Sequence, residues 1–201
     1  MIGKGKSISH GVAALEYYLA TEIARHELYG CTGAEMVQEM KPYHIDFPNV
    51  KNNCLRFEVS PSIEESATFT DADWAELGND FMQRMGLANH QYIIIRHSGT
   101  ESKKEQAHLH ILANRVSLSG ELYRDNWIGK KATEAANAIA KERNFVQSQD
   151  IGKVNKAEIK EAMDGVLKKM QGFDFTKFKE ELGKRGFKVR EARASTGKLN
   201  G

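Results

Sequence analysis

No apolar stretch in the 201 residues approaches the length that crosses a bilayer, about 20 consecutive apolar residues. The opening residues, MIGKGKSISHG, carry no apolar run of the kind a secretory leader needs. Cysteine is nearly absent. Cys31 and Cys54 are the only two, and they offer neither a zinc-type spacing nor a disulfide framework, so the expected compartment is a reducing cytoplasm. Strong net charge is missing as well: a formal +2 does not by itself argue for a nucleic-acid ligand. The distribution says more. From residue 151 onward there are 13 Lys/Arg against 7 Asp/Glu, so a net acidic body precedes a net basic tail. Such a tail suits a phosphate backbone, although solvated helices also carry lysine excess.

At this length the chain holds one substantial core with room for an appended helical unit. The expected division is a core over residues 1–150 and a basic helical extension over 151–201. Residues 1–10 read as a strand end or an arm. Val12–Arg25 (VAALEYYLATEIAR) reads as a helix, with Leu15 and Leu19 on one face. Residues 27–53, with Pro42, Pro48 and several glycines and asparagines, read as an irregular or partly helical excursion. LRFEVS (55–60) alternates like a half-buried strand that Pro61 ends. Thr70 and Asp73 form a capping box for a helix through Trp74, Leu77, Phe81 and Met85, closed by Gly86. Residues 91–96 and 109–116 are two strands, with Ser119-Gly120 as the exit turn. Helical patterns follow at about 130–142, 155–171 and 175–185, and GFKVREA (186–192) reads as a short strand. The order predicts an α+β fold: an antiparallel sheet of about five strands flanked by helices on one face, with the other face free to hold a site.

The chemistry concentrates in QYIIIRHSGTESKKEQAHLHILANRV, where a ten-residue polar loop separates His97 from His108-Leu109-His110. On a strand, residues i and i+2 share a face, so His108 and His110 project together. An antiparallel neighbour ending at His97 brings a third imidazole beside them. Three neutral imidazoles suit a first-row divalent ion, and a metal site is the leading expectation. A metal needs an activated water or a protein nucleophile to complete a mechanism. The adjacent Tyr17 and Tyr18 are the local candidates for the second, with core filling as the structural alternative.

Four segments, GKGKSISHGVAALEYYLA, LRFEVSPS, TDADWAELGNDFMQRMG and QYIIIRHSGTESKKEQAHLHILANRVSLSGELY, together resemble the MobA/VirD2-type relaxases. These are mobilisation nucleases of the wider HUH endonuclease class, and the likeness spans roughly residues 5–125 in the right order. It implies a two-layer relaxase-like fold with a C-terminal helical extension. It also implies Mn²⁺ or Mg²⁺, or another first-row divalent ion, held by His97, His108 and His110. An early-helix tyrosine attacks the phosphodiester at the nic site of a transfer origin, leaving a 5′-phosphotyrosine and a free 3′-OH. Motif position favours Tyr17, with Tyr18 as the alternative. Glu58 is the candidate acid that orients a ligand histidine, with Glu105 behind it. Asn114, Arg115, Arg56 and Arg96 are the candidate DNA contacts. Single-stranded or melted origin DNA and accessory mobilisation proteins are the implied partners. The chain departs from many relatives at Ser98-Gly99, where they place an aspartate, and its loop before HLH is longer. Three rivals share parts of this pattern: a water-using metallonuclease, a replication-initiator endonuclease, and a non-enzymatic DNA-binding module.

Overall fold

In a computed structural model, the described residues are 1–9, 11, 15–16, 21–97 and 106–191. Tyr17, Tyr18, Ser98, Gly99 and Glu105 lie outside them. The opening Gly-Lys-Gly-Lys alternation is a strand, β1 (Ile2–Ile8), with Lys4 and Lys6 on one face and Gly3 and Gly5 on the other. Four more strands follow: β2 (Glu22–His26), β3 (Cys54–Ser60), β4 (His90–His97) and β5 (His108–Ser117). All pair antiparallel in the spatial order β1-β3-β5-β4-β2. The fold is α+β, as expected, with β5 last in sequence and central in space.

The helices that cover the first face are encoded by clear signals. In α3 (Asp71–Arg84) the Thr70 side chain caps the Asp73 N–H, and the Asp73 carboxylate returns to the Thr70 N–H, a capping box. Trp74, Leu77, Phe81 and Met82 recur at helical spacing and are buried. They meet Leu55, Phe57 and Val59 of β3, Tyr92 and Ile94 of β4, and Leu109, Ile111 and Ala113 of β5. The alanine-rich α4 (Ile128–Glu142) joins this core through Ile128, Ala132, Ala135, Ala136, Ile139 and Ala140. Its small side chains let it sit directly on β1. A Cβ added to Gly3 would lie 2.4 Å from the Ala132 carbonyl oxygen and 2.6 Å from the Ala136 Cβ, so glycine is required there by close approach.

The second face is divided. Leu15, Leu28, Met36, Met40, Cys54, Ile93, Ile95 and Leu112 form a separate buried cluster, roofed by α1 (Gly33–Met40) and a 3-10 turn at Lys41–His44. The histidine end of β4 and β5 lies beyond this roof. Helix α1 has its own capping box, Thr32 with Glu35, and is the helical part of the stretch expected to be irregular or partly helical. A one-turn helix, α2 (Ile63–Ser66), follows β3 and is capped by Ser62 and Glu65.

Two expectations are corrected. Residues 22–26 are strand rather than the end of a helix. They satisfy the outer edge of β4, and the pairing shifts between Glu22 and Ala24; tertiary pairing overrides a helical pattern there. Residues 187–191 form no strand: Phe187 and Val189 pack instead on a helical cluster.

The chain divides into two compact units, Met1–Ser148 and Gln149–Gly201. In the second, α5 (Ser148–Leu167) and α6 (Phe175–Lys184) bury Ala162, Val166, Phe178 and Leu182 against one another. Arg185 donates to the Ala162 carbonyl at 3.2 Å, and Asp174 caps α6 by accepting from the Thr176 and Lys177 N–H groups.

Gly3→Ala is expected to lower the unfolding free energy by about 1–3 kcal/mol, because α4 must move off β1. Urea denaturation checks this: the midpoint falls while the slope is unchanged, and Lys4→Ala on the opposite face has a smaller effect.

Candidate metal centre

Strand parity and register build the site. His97 lies opposite His108 across the β4–β5 ladder, and Ile95 lies opposite His110. Directly paired residues share a face, so the three imidazoles converge. One nitrogen from each of the three lies within 4.8 Å of the other two, and the ring centroids are 5.1, 5.7 and 4.7 Å apart for 97–108, 97–110 and 108–110. His110 is 4% exposed, while His97 and His108 are half-buried.

The nitrogen chemistry fits a cation. His108 Nε2 and His110 Nε2 are 3.1 Å apart. Two nitrogens bound at about 2.1 Å to one ion lie roughly 3.0–3.4 Å apart at octahedral to tetrahedral angles. His108 Nδ1 faces the Gln106 carbonyl at 3.3 Å. A proton on Nδ1 directs the Nε2 lone pair at the site, the usual arrangement for a ligand histidine. Gln106 is itself anchored, donating to Ser60 Oγ at 2.9 Å.

Electrostatics favour the neutral form of His108 and His110. Burial, then the neighbouring His108 and the Arg56 guanidinium, pushes His110 down to about 3. Burial also lowers His108, against the opposing pull of the Gln106 carbonyl and Glu58. Imidazoles uncharged at neutral pH need lose no proton to bind a metal.

Glu58 sits on β3 directly across from His110. Lys4, its partner on β1, donates to its carboxylate at 2.8 Å. Burial works to raise the Glu58 carboxyl, but the Lys4 hydrogen bond and charge, with the two histidines, hold it below the usual range. An anion is thereby fixed beside the triad. Lys6 stands opposite Arg56 on the same face, and a groove of about 230 Å³ is lined by Lys4, Gly5, Lys6, Arg56, Phe57 and Glu58.

The other sequence candidates separate by parity. Arg56 shares the histidine face. Arg96, paired with Leu109, is on the opposite face and binds Asp71 at 2.6 Å. Arg115 is also opposite, and its guanidinium is occupied internally by Asp125 at 2.6 Å, the Asn52 carbonyl at 2.9 Å and the Tyr123 carbonyl at 3.2 Å. Asn114 is on the histidine face but fully enclosed. Its Oδ1 accepts from His44 Nε2 at 2.6 Å, and its amide donates to Gln91 Oε1 at 2.9 Å. Asn114 thus ties the 3-10 turn to the sheet and has no surface to offer DNA. Lys4, Gln106 and His44 escaped the sequence reading. The Gly-Lys alternation could have placed Lys4; nothing local points to His44, 70 residues from Asn114. The residues leading to the tyrosines are anchored: Leu15 is fully buried, and the Glu16 carboxylate accepts from the Ala34 N–H of α1 at 3.3 Å.

The depressed His110 fixes a pH dependence. The folded protein leaves His110 neutral down to about pH 3, while the unfolded chain protonates it below about 6.5. Stability from this group is therefore complete above 6.5 and is lost as pH falls from 6.5 toward 3. Between pH 7 and pH 5 the wild type should lose ~2 kcal/mol more than His110→Gln, read by urea denaturation at each pH. A smaller loss in the wild type than in the variant refutes the assignment.

A family model described as Relaxase: MobA/VirD2-like, nuclease domain, matches residues 17–145. No curated protein matches the chain. Two solved structures of the conjugative relaxase TrwC in complex with oriT DNA are similar at 12% identity. The metal-free one covers 99% of this chain and 74% of its own with a TM-score of 0.44. The metal-bound one covers 99% and 75% with a TM-score of 0.42. The family match extends over well more than half of the residues, and the chain belongs to the MobA/VirD2-like relaxases, as a nuclease domain of that family.

Proposed function

We propose that this domain nicks one DNA strand at a transfer origin by tyrosine transesterification, and that the observation carrying this reading is the convergence of His97, His108 and His110 within 4.8 Å. Tyr17 is the assigned nucleophile, with Tyr18 the alternative. The phenolic oxygen attacks phosphorus as the bond to the 3′ oxygen breaks. The phenol proton passes to solvent and the leaving 3′ oxygen takes a proton, giving a 5′-phosphotyrosine and a free 3′-OH. No net bond energy is lost, so attack by the 3′-OH rejoins the strand.

His97, His108 and His110 would hold a divalent ion, which would supply charge neutralisation at the scissile phosphate and favour the phenolate of a group whose ordinary pKa is near 10. The all-imidazole set favours Mn²⁺ over Mg²⁺, which prefers oxygen ligands. The remaining work falls to the chain itself. Gln106 fixes the His108 ring through its Nδ1. Glu58, held by Lys4, places a negative charge across from His110 and acts as a positioning residue. Arg56 and Lys6 line the adjoining groove, where they would hold the phosphate next to the scissile one. The second unit extends this DNA-binding role through its basic surplus, 13 Lys/Arg against 7 Asp/Glu from residue 151. Single-stranded or melted origin DNA, accessory mobilisation proteins and a cytoplasmic setting complete the proposal. Among the described residues no helix is long and apolar enough to cross a membrane.

The test is incubation with Mn²⁺ and end-labelled single-stranded oligonucleotides tiling the origin of the element that encodes the chain. The wild type is compared with Tyr17→Phe, Tyr18→Phe and His108→Ala on denaturing gels. An SDS-stable protein–DNA adduct lost in one tyrosine variant, and cleavage reduced at least about 100-fold in His108→Ala, are the expected results. Cleavage that persists in both tyrosine variants, with no adduct, would make water the nucleophile.

A further inference from the structure

Trp127 is the most exposed large apolar side chain among the described residues, at 81%. It is the N-cap of α4, and its backbone is left-handed, φ 59° and ψ 27°. Glycine or asparagine suits that geometry and a bulky residue does not. Folding gains nothing from an indole held in water on a strained backbone, so the ring serves what binds to it.

The support beneath Trp127 is rigid. The Ile128 N–H donates to the Asp125 carbonyl at 3.1 Å, and the Lys131 N–H donates to the Trp127 carbonyl at 3.0 Å. Asp125 is clamped by the Arg115 guanidinium, which also grips the Asn52 and Tyr123 carbonyls. Lys131 Nζ donates to the Arg124 carbonyl at 2.8 Å and lies 5.0 Å from the centre of the Tyr123 ring. Arg124, Asn126 and Lys130 lie within three residues of Trp127 in sequence and are exposed, Lys130 with Glu134 at 3.8 Å across the helix surface. An aromatic face among cations is the usual platform for single-stranded nucleic acid. Trp127 stands at the first turn of α4, on the helix-covered side of the edge strand β1, while Lys4 and Lys6 of β1 face the histidine side, so a DNA strand that touches both passes round the β1 edge. The first turn of α4 rides on β1, where a Cβ on Gly129 would sit 3.6 Å from the Gly5 carbonyl oxygen. Gly5 lies between Lys4 and Lys6 in the cation-lined groove. From His110 on β5 across β3 to β1 is two strand spacings, roughly 10 Å.

We propose that Trp127 is a base-stacking platform for the single-stranded DNA this domain cuts. An unpaired base lies on the indole, and Arg124 and Lys130 take the flanking phosphates. The inference rests on the DNA-nicking reading and adds to it a second contact point beyond the groove.

The sequence contains two tryptophans, and the other, Trp74, is 2% exposed, so intrinsic fluorescence isolates Trp127. The experiment titrates the full chain with dT15 at low salt, alongside anisotropy of labelled dT15. Binding should quench the long-wavelength emission by at least about half, in line with stacking of a base on the ring. Trp127→Phe should remove that quenching and leave the Trp74 signal intact. Trp127→Ala should weaken binding about tenfold, with Trp127→Tyr restoring most of it. Saturated anisotropy without quenching overturns the proposal. So does equal quenching by an abasic oligonucleotide of the same length, or emission that tracks protein concentration without DNA. In those cases origin nicking by the wild type keeps the relaxase reading standing. Quenching without any metal-dependent nicking would support the platform while removing the chemistry, and no anisotropy change with dT15 overturns the platform, the nicking reading being decided by cleavage of origin oligonucleotides alone.

Discussion

The antiparallel register between β4 and β5 is the constraint on which the candidate site depends. It sets His97 against His108 and leaves His110 two pairs further in, on the same face. Because side chains alternate, a slip of one residue would turn His108 and His110 away from His97 and put Leu109 in their place. Two features hold the register. Ile93, Ile95 and Leu112 are buried on the histidine face beneath α1, so slippage would expose apolar surface. At the far end, His90 Nδ1 meets the Asn114 carbonyl at 2.9 Å, and the Asn114 amide reaches Gln91. These polar groups are buried and paired, and a displaced register would leave them unsatisfied.

The same burial that fixes geometry sets charge. An imidazole as enclosed as His110 stays neutral, with its lone pair available to a cation. A cation arriving there would meet a counter-charge in Glu58, which Lys4 keeps ionised. Lys4, Glu58 and His110 stand in one row across three strands. The row alternates positive, negative and neutral positions, and a bound divalent ion would continue the alternation. Arg56 sits two pairs along from Glu58, on the same face, and makes the groove attractive to phosphate while discouraging protonation of His110.

Much of this was legible from local pattern. Alternation marks β3, runs of β-branched and aliphatic residues mark β4 and β5, and the HLH triplet with His97 points to the triad. The Thr70–Asp73 box marked the start of α3. Other signals were present but unread. Thr32-Gly-Ala-Glu35 has the form of a capping box, and it opens α1 inside a stretch whose prolines and glycines suggested irregular or partly helical chain. Parity counted from His110 places Arg115 and Arg96 on the opposite face, which removes them from the triad's surroundings. The strand β2 was not readable, because the register shift at Glu22–Ala24 breaks its alternation and the residues themselves favour helix. The His44–Asn114 bond joins distant segments and has no local signature.

The strand order carries a consequence in time. β3 and β4 are never neighbours; β5 lies between them. As the chain is synthesised, β1 can pair with β3 and β2 with β4, but these two ribbons cannot join until residues 108–117 arrive. Until then each ribbon presents an unpaired inner edge, the kind of surface that invites pairing with other chains. The insertion that closes those edges also brings His108 and His110 to His97. Completion of the sheet and assembly of the histidine triad are therefore one event.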